Sequence, residues 1–175
     1  MASNTHNTKG IIYRLYNSGA TDKVVSILDE HGKKVAAIAK GVKKQNSRKA
    51  FSIEIGNYVK ANLLVGYATP LITEVNLLNE FSAWKKDLKT ITSLQFICEI
   101  IDNFSFEENP DTNLFNIFLE VLSADPQKST LTLSYFIIKI LELSGNLPEI
   151  NFYVNTGEPI AVGDGYYSES FIGYV

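Results

Sequence analysis

With 175 residues, 45% hydrophobic and 20% charged, the chain is an ordinary globular protein with apolar material for one sizeable core or two small ones. Its net charge of −3 conceals an asymmetry: residues 1–60 hold 11 Lys/Arg against 4 Asp/Glu, net +7, while residues 61–175 hold 5 against 15, net −10. The single cysteine, Cys98, excludes an internal disulfide, Met1 to Lys9 lacks the apolar region of a secretory signal, and no apolar stretch approaches a membrane span. A cytoplasmic location is the expectation.

The first half alternates with period two. Ile11, Tyr13 and Leu15 fall on one face of a first strand and Ile12, Arg14 and Tyr16 on the other, with a break at Asn17-Ser18-Gly19. Val24 to Leu28 is a second strand ended by Asp29-Glu30-His31-Gly32, and Val35 to Ala39 a third. After a polar, basic run, Ile53, Ile55, Val59, Ala61, Leu63 and Val65 share one face of a fourth, and beyond Gly66-Tyr67-Ala68-Thr69-Pro70 a fifth covers Leu71 to Leu78. No helix interrupts them to cover a sheet. Five short strands hide their edges by closing, so a five-stranded barrel of OB type is expected.

From Trp84 the period becomes helical: Leu88, Ile91, Leu94, Cys98, Ile101 and Phe104 stripe one face, widened by Ile97 and Ile100. Asn109-Pro110-Asp111 breaks this helix and supplies a cap for a second, with Leu114, Ile117, Phe118, Val121 and Leu122 inward. Asp125-Pro126 breaks again before a third, Leu131 to Leu143, which Ser144-Gly145-Asn146 ends. The tail from Asn151 is rich in Gly and aromatics without helical periodicity, and a hairpin around Gly163-Asp164-Gly165 is expected. The division is therefore a flexible N-terminus (1–8), an OB barrel (9–82), an all-helical domain (83–149) and a short irregular or β tail (150–175), an α+β chain in two main parts.

Chemistry by covalent catalysis has little support. His6 and His31 have no Ser, Cys or carboxylate partner at a telling spacing, and Cys98 on an apolar stripe reads as core. Gly163-Asp164-Gly165 lacks the features of a phosphate-binding loop, and His and Cys are too few for a metal cluster. The positive signal is Lys40, Lys43, Lys44, Arg48 and Lys49 in a segment without an acid, placed between two barrel strands with Gly41, Gln45, Asn46 and Ser47. Such a run can also serve only to keep a loop solvated. Arg14 and Lys60 would extend the positive surface, and Tyr16 and Tyr58 are candidates to stack bases.

Thr8-Lys9-Gly10-Ile11-Ile12, Asp22-Lys23-Val24-Val25, His31-Gly32-Lys33, Ala39-Lys40-Gly41-Val42-Lys43-Lys44 with Ser47-Arg48, and Leu143-Ser144-Gly145-Asn146-Leu147-Pro148-Glu149 follow in an order that resembles the RecO family of bacterial recombination mediators. The resemblance covers about residues 8–160. It implies a nucleoid-associated protein with an OB barrel and a helical domain, and no enzyme. Such a protein binds single- and double-stranded DNA, anneals strands and helps load RecA onto DNA coated with single-stranded-DNA-binding protein, with RecR as partner and no membrane. Carried onto this sequence, DNA binding falls to Lys40, Lys43, Lys44, Arg48 and Lys49, supported by Arg14, Lys33 and Lys34, as phosphate neutralisation.

Two departures stand out. The Cys-x-x-Cys knuckle of many members is here Tyr153-Val154-Asn155-Thr156-Gly157, so no zinc or other cofactor is expected and a Tyr/Phe cluster would take its place. The chain also ends at Val175, where members usually continue, so a short form is expected. Its acidic second half disfavours docking the acidic tail of single-stranded-DNA-binding protein. A protein-interaction module and an RNA-binding barrel remain the competing readings.

Overall fold

In a computed structural model, residues 5–104, 110–160, 167–168, 170 and 173–174 are described. The chain divides into two compact units, Met1–Ile140 and Leu141–Val175. Five strands, β1 (Thr5–Ser18), β2 (Asp22–Asp29), β3 (Lys34–Ala39), β4 (Tyr58–Leu64) and β5 (Leu71–Asn79), close into a barrel in the order β1-β2-β3-β5-β4. Its closure is the short parallel contact Ile38–Leu71, reinforced by the Ile38 amide on the Pro70 carbonyl at 2.8 Å. The expected OB-type barrel is therefore present.

β1 is the pivot. It pairs with β2 over Gly10 to Ser18 and with β4 over Thr5 to Ile11, so Gly10 has Asp29 on one side and Val59 on the other. A methyl at Gly10 would lie 2.2 Å from the Leu28 carbonyl oxygen, so the two backbones approach this closely only because no side chain intervenes.

A β-bulge between Ile12 and Arg14 breaks the alternation. Ile12 faces the barrel interior with Val25, Ile27, Ala37, Val59 and Ala61, and Leu15 packs on the same cluster. Ile11 and Tyr13 face outward into a second cluster built with the helices. The sequence pattern places Leu15 with Ile11 and Tyr13, and Ile12 with Arg14. The extra residue reverses that parity and keeps Arg14 and Tyr16 outside. The fourth strand also starts later than its hydrophobic pattern indicates: Ile53 is buried in the barrel but lies in a turn, as does the segment before Tyr58.

Three helices follow: α1 (Leu88–Phe104), α2 (Thr112–Ser123) and α3 (Ser129–Leu143). Asp87 accepts from the Thr90 amide at 2.9 Å at the start of α1, and Asp111 from the Asn113 amide at 2.8 Å at the start of α2. Trp84, in the turn before α1, is fully buried and donates its indole N–H to the Leu122 carbonyl at 2.9 Å. With Leu94, Ile97, Cys98, Ile101, Leu114, Phe115, Phe118, Phe136 and others it forms the cluster that receives Ile11, Tyr13 and Leu28.

The stripe of α1 is rotated from its hydrophobic pattern. Thr90 and Ser93 are buried and Leu88 is 81% exposed, because the face set by Ile97 and Ile101 extends back through small polar residues. On α2, Phe115 joins the buried face, where the sequence pattern has Ile117. On α3 the buried positions are Ser129, Thr132, Phe136 and Ile140.

In the second unit, a bridge joins Phe152 and Pro159 around a turn closed by Gly157 N–H on the Tyr153 carbonyl at 2.8 Å. Two short strands, β6 (Tyr167–Ser168) and β7 (Gly173–Tyr174), pair antiparallel. The hairpin expected at Gly163-Asp164-Gly165 lies outside the described residues, as does much of the expected aromatic cluster, whose Phe152 is exposed.

Candidate nucleic-acid interface

Residues 40–57 connect β3 to β4 through successive turns rather than a helix. The amides of Lys44, Ser47 and Ala50 bond to the carbonyls of Gly41, Lys44 and Ser47 at 3.1, 2.9 and 3.3 Å. Gly41 opens the series with φ 69°, a left-handed conformation that glycine adopts without strain. Buried Val42 and Ile53 anchor the segment in the barrel. Its length is thus held against the barrel while Lys40, Lys43, Lys44 and Arg48 project into solvent.

Asp22 is the electrostatic centre of this end. Its carboxylate accepts from the Gly41 amide at 2.8 Å and the Thr21 hydroxyl at 2.8 Å. These bonds, the Gly41 one foremost, together with the nearby charges of Lys40 and Lys44, hold its carboxyl below the usual aspartate range. The Lys43 amide donates to the Thr21 carbonyl at 2.9 Å and its ammonium reaches the Gly19 carbonyl at 3.3 Å. The β1–β2 turn and the start of the basic loop are thereby joined.

The β4–β5 turn lies at the same end, since Leu71 pairs with Ile38 of β3 and Leu64 of β4. OB barrels commonly bind oligonucleotides on the β2–β3 face between the β1–β2 and β4–β5 loops. Here that region carries Lys40, Lys43 and Lys44, with Lys23 paired to Ala39 across β2–β3. Tyr67, 61% exposed, stands in the β4–β5 turn.

The remaining predicted cations are placed differently. Lys49 turns inward and donates to the Ile72 carbonyl at 2.7 Å, tying the loop to β5. Arg14 forms an ion pair with Asp102 on α1 and lies 4.3 Å over the ring of Tyr16. The ammonium of Lys34 donates to the Asp102 backbone carbonyl at 2.5 Å. Both thus serve the C-terminal end of α1, whose last turn has no basic residue of its own. Lys33 is exposed in the β2–β3 turn, its amide on Asp29 at 2.8 Å.

Of the two tyrosines, Tyr16 is 44% exposed and retains a face for stacking. Tyr58 does not. It packs against Phe115 at 6.0 Å between centroids, and its hydroxyl donates to Glu30. Burial, with that bond, pushes its phenol up to about 12. Cys98 is buried among apolar side chains, which pushes its thiol up to about 12, as expected of a core cysteine.

Sequence reasoning passed over Lys23 and Tyr67. Lys23 is an isolated cation in an ordinary strand start, placed beside the loop by its β2–β3 pairing with Ala39, and Tyr67 resembles any turn aromatic, brought to that end by closure of the barrel.

Comparison with known proteins adds the family. A pattern described as "Recombination protein O N terminal" matches residues 1–81, and one described as "Recombination protein O C terminal" matches residues 85–175. A protein of Dehalococcoides mccartyi named "DNA repair protein RecO" is 26% identical over 170 residues, covering 96% of this chain and 67% of its own. Proteins of the same name from Roseiflexus sp. and Nostoc punctiforme are 28% and 27% identical, covering 86% and 90% of this chain and 53% and 55% of their own. The chain therefore spans between half and two thirds of the length of these relatives.

Proposed function

The chain belongs to the RecO family, and from that premise we propose that it acts in DNA repair and recombination, binding single- and double-stranded DNA through the loop end of its barrel. The observation that carries this reading is the ordered, outward display of Lys40, Lys43, Lys44 and Arg48 beside Lys23 and the exposed rings of Tyr16 and Tyr67. The cations neutralise phosphates without reading sequence, and the rings offer sequence-tolerant stacking. Lys49 is a strut for the loop, Arg14 and Lys34 are engaged at the end of α1, and Lys33 stands in the β2–β3 turn at the opposite end of the barrel. On this reading residues 9–82 are the DNA-binding domain, residues 83–149 the helical domain, and residues 150–175 a tail in the place of a zinc knuckle.

Annealing follows from the same chemistry. Two strands repel through their phosphates, and a cationic surface that holds one while leaving its bases accessible lowers that repulsion. Assistance to RecA loading, with RecR and single-stranded-DNA-binding protein as partners, is proposed on the family relationship. It requires no covalent step.

The test is the salt dependence of binding to a dT oligonucleotide. Release of counterions from about four phosphates gives a slope of log affinity against log salt of roughly −2.8. A flat response would remove the electrostatic basis of the reading. An RNA oligonucleotide of matched sequence, competing equally, would turn the reading toward an RNA-binding barrel.

A further inference from the structure

The loop end of the barrel is built from residues 19–23, 40–49 and 65–70, and across these segments Asp22 is the single Asp or Glu. Lys23, Lys40, Lys43, Lys44, Arg48 and Lys49 belong to the same segments. The other acids of the first 60 residues stand elsewhere: Asp29 and Glu30 at the far end of β2, and Glu54 in an ion pair with Lys85 at 3.3 Å.

The Asp22 carboxylate is held as a bound oxyanion would be. The Gly41 amide and the Thr21 hydroxyl both donate to the same oxygen, Oδ1, each at 2.8 Å. The stem of Lys44 runs alongside Gly41, its Cδ and Cε 3.6 and 3.8 Å from where a methyl on Gly41 would lie. Two neutral donors converging on one oxygen, with the ammonium groups of Lys40 and Lys44 near, are the parts of a phosphate seat. Those same groups keep the carboxyl ionised throughout the neutral range. Anchoring Gly41 needs an acceptor but no charge, since an asparagine Oδ1 would accept the same two bonds. The full negative charge instead offsets one cation of the surface.

We propose that Asp22 is a resident phosphate mimic: it fills an anion seat formed by the Gly41 amide, the Thr21 hydroxyl, Lys40 and Lys44, and a phosphate oxygen binds there by displacing it. The seat stands on the geometry of the loop end; that the displacing phosphate belongs to a DNA strand rests on the proposed DNA-binding function. Tethered beside the donors, the carboxylate competes at high effective concentration. It thereby sets affinity below what the cations alone would give and reclaims the donors as a strand leaves, which suits a surface that must release an annealed duplex.

The 175-residue chain and its Asp22→Asn and Asp22→Ala variants are titrated at neutral pH and constant ionic strength with inorganic phosphate and, separately, with a dT oligonucleotide. The Gly41 amide is followed by NMR hydrogen exchange and DNA binding by fluorescence anisotropy. In the parent, phosphate should leave Gly41 exchange unchanged. In Asp22→Ala, millimolar phosphate should slow it about tenfold, and adding Lys40→Gln/Lys44→Gln to that variant should abolish the effect. Asp22→Asn, which keeps the acceptor without the charge, should bind DNA about twofold tighter than the parent, and Asp22→Ala, with the seat empty, about fivefold tighter. Thermal melts check that each variant folds, and Asp22→Ser replaces Asp22→Ala if the latter melts below the parent.

Gly41 exchange in Asp22→Ala that phosphate does not slow, or slows equally without Lys40 and Lys44, overturns the seat. So do equal DNA gains in the two variants, which charge alone would give, and DNA binding by Asp22→Ala weaker than the parent's, which a mere loop anchor would give. The loop reading then still stands if the parent keeps its salt slope. Phosphate protection of Gly41 in a chain that binds no DNA keeps the seat and overturns the strand assignment in favour of a free phosphate ligand.

Discussion

In the 40–49 loop, turns and two buried anchors order the backbone, and among the described residues the side chains of Lys40, Lys44 and Arg48 make no hydrogen bond or ion pair and stand in solvent, Lys40 and Lys44 near Asp22. At the seam between barrel and helices the arrangement is reversed. Arg14 and Lys34 converge on Asp102, where they complete the end of α1. The contrast shows that a positive charge can be a binding element or a structural one, and that the side-chain partner decides which. The loop holds its shape through backbone bonds and leaves its charges available; the seam holds its shape through its charges.

The sharpest test of this division is the loop variant Lys43→Glu/Lys44→Glu/Arg48→Glu. Reversing three exposed charges should weaken single-stranded DNA binding about 100-fold in low salt and flatten the salt slope by about 2, with stability unchanged within about 0.5 kcal/mol. Fluorescence anisotropy across a salt series and a thermal melt read both effects. A large loss of stability would show that these cations are structural after all.

Gly32→Ala should do the opposite. Gly32 has φ 78°, and a methyl there would lie 2.0 Å from the Asp111 carbonyl oxygen. Displacing the start of α2 from the β2–β3 turn should cost about 2–3 kcal/mol in denaturant unfolding while leaving the loop's salt slope in place.

Asp102→Asn probes the seam itself. Arg14 keeps 45% of its side chain exposed, so solvent screening limits the destabilisation to about 0.5–1 kcal/mol. Releasing Arg14 should raise DNA affinity about twofold in low salt. A drop in affinity would mean that the pair shapes the binding surface rather than sequestering charge from it.

The smallest effect concerns Asp22. Its carboxyl is held below the ordinary aspartate range, so the anchoring of Gly41 is fully present above that range and is lost as pH falls through the lowered value. Hydrogen exchange at the Gly41 amide should therefore lose protection only in acid. The Asp22→Ala variant should show the unprotected amide already at neutral pH.

Much of this molecule is legible in the order of its residues. Alternation marked the five strands, the change of period at Trp84 marked the helices, and Asp111 announced the start of α2 because a helix needs an acceptor for its first amides. The basic run was visible as charge, and its place between β3 and β4 followed from the strands around it. The β1 parity was not legible. One extra residue at the bulge reverses which side chains face inward, and alternating apolar residues on both faces do not register it. Nor was the rotation of α1, since Thr90 and Ser93 face inward where Leu88 does not.

The sequence by itself determined the element types, the asymmetry of charge and the family's pattern, because these depend on local periodicity and composition. Tertiary structure alone decided which cations are available. Lys49, Arg14 and Lys34 each met a carbonyl or carboxylate from a distant part of the chain, Lys23 came to the loop through the β2–β3 pairing, and Tyr67 came to it through barrel closure. Such partners lie tens of residues apart. Only the closed barrel and its packing against the helices bring them within reach.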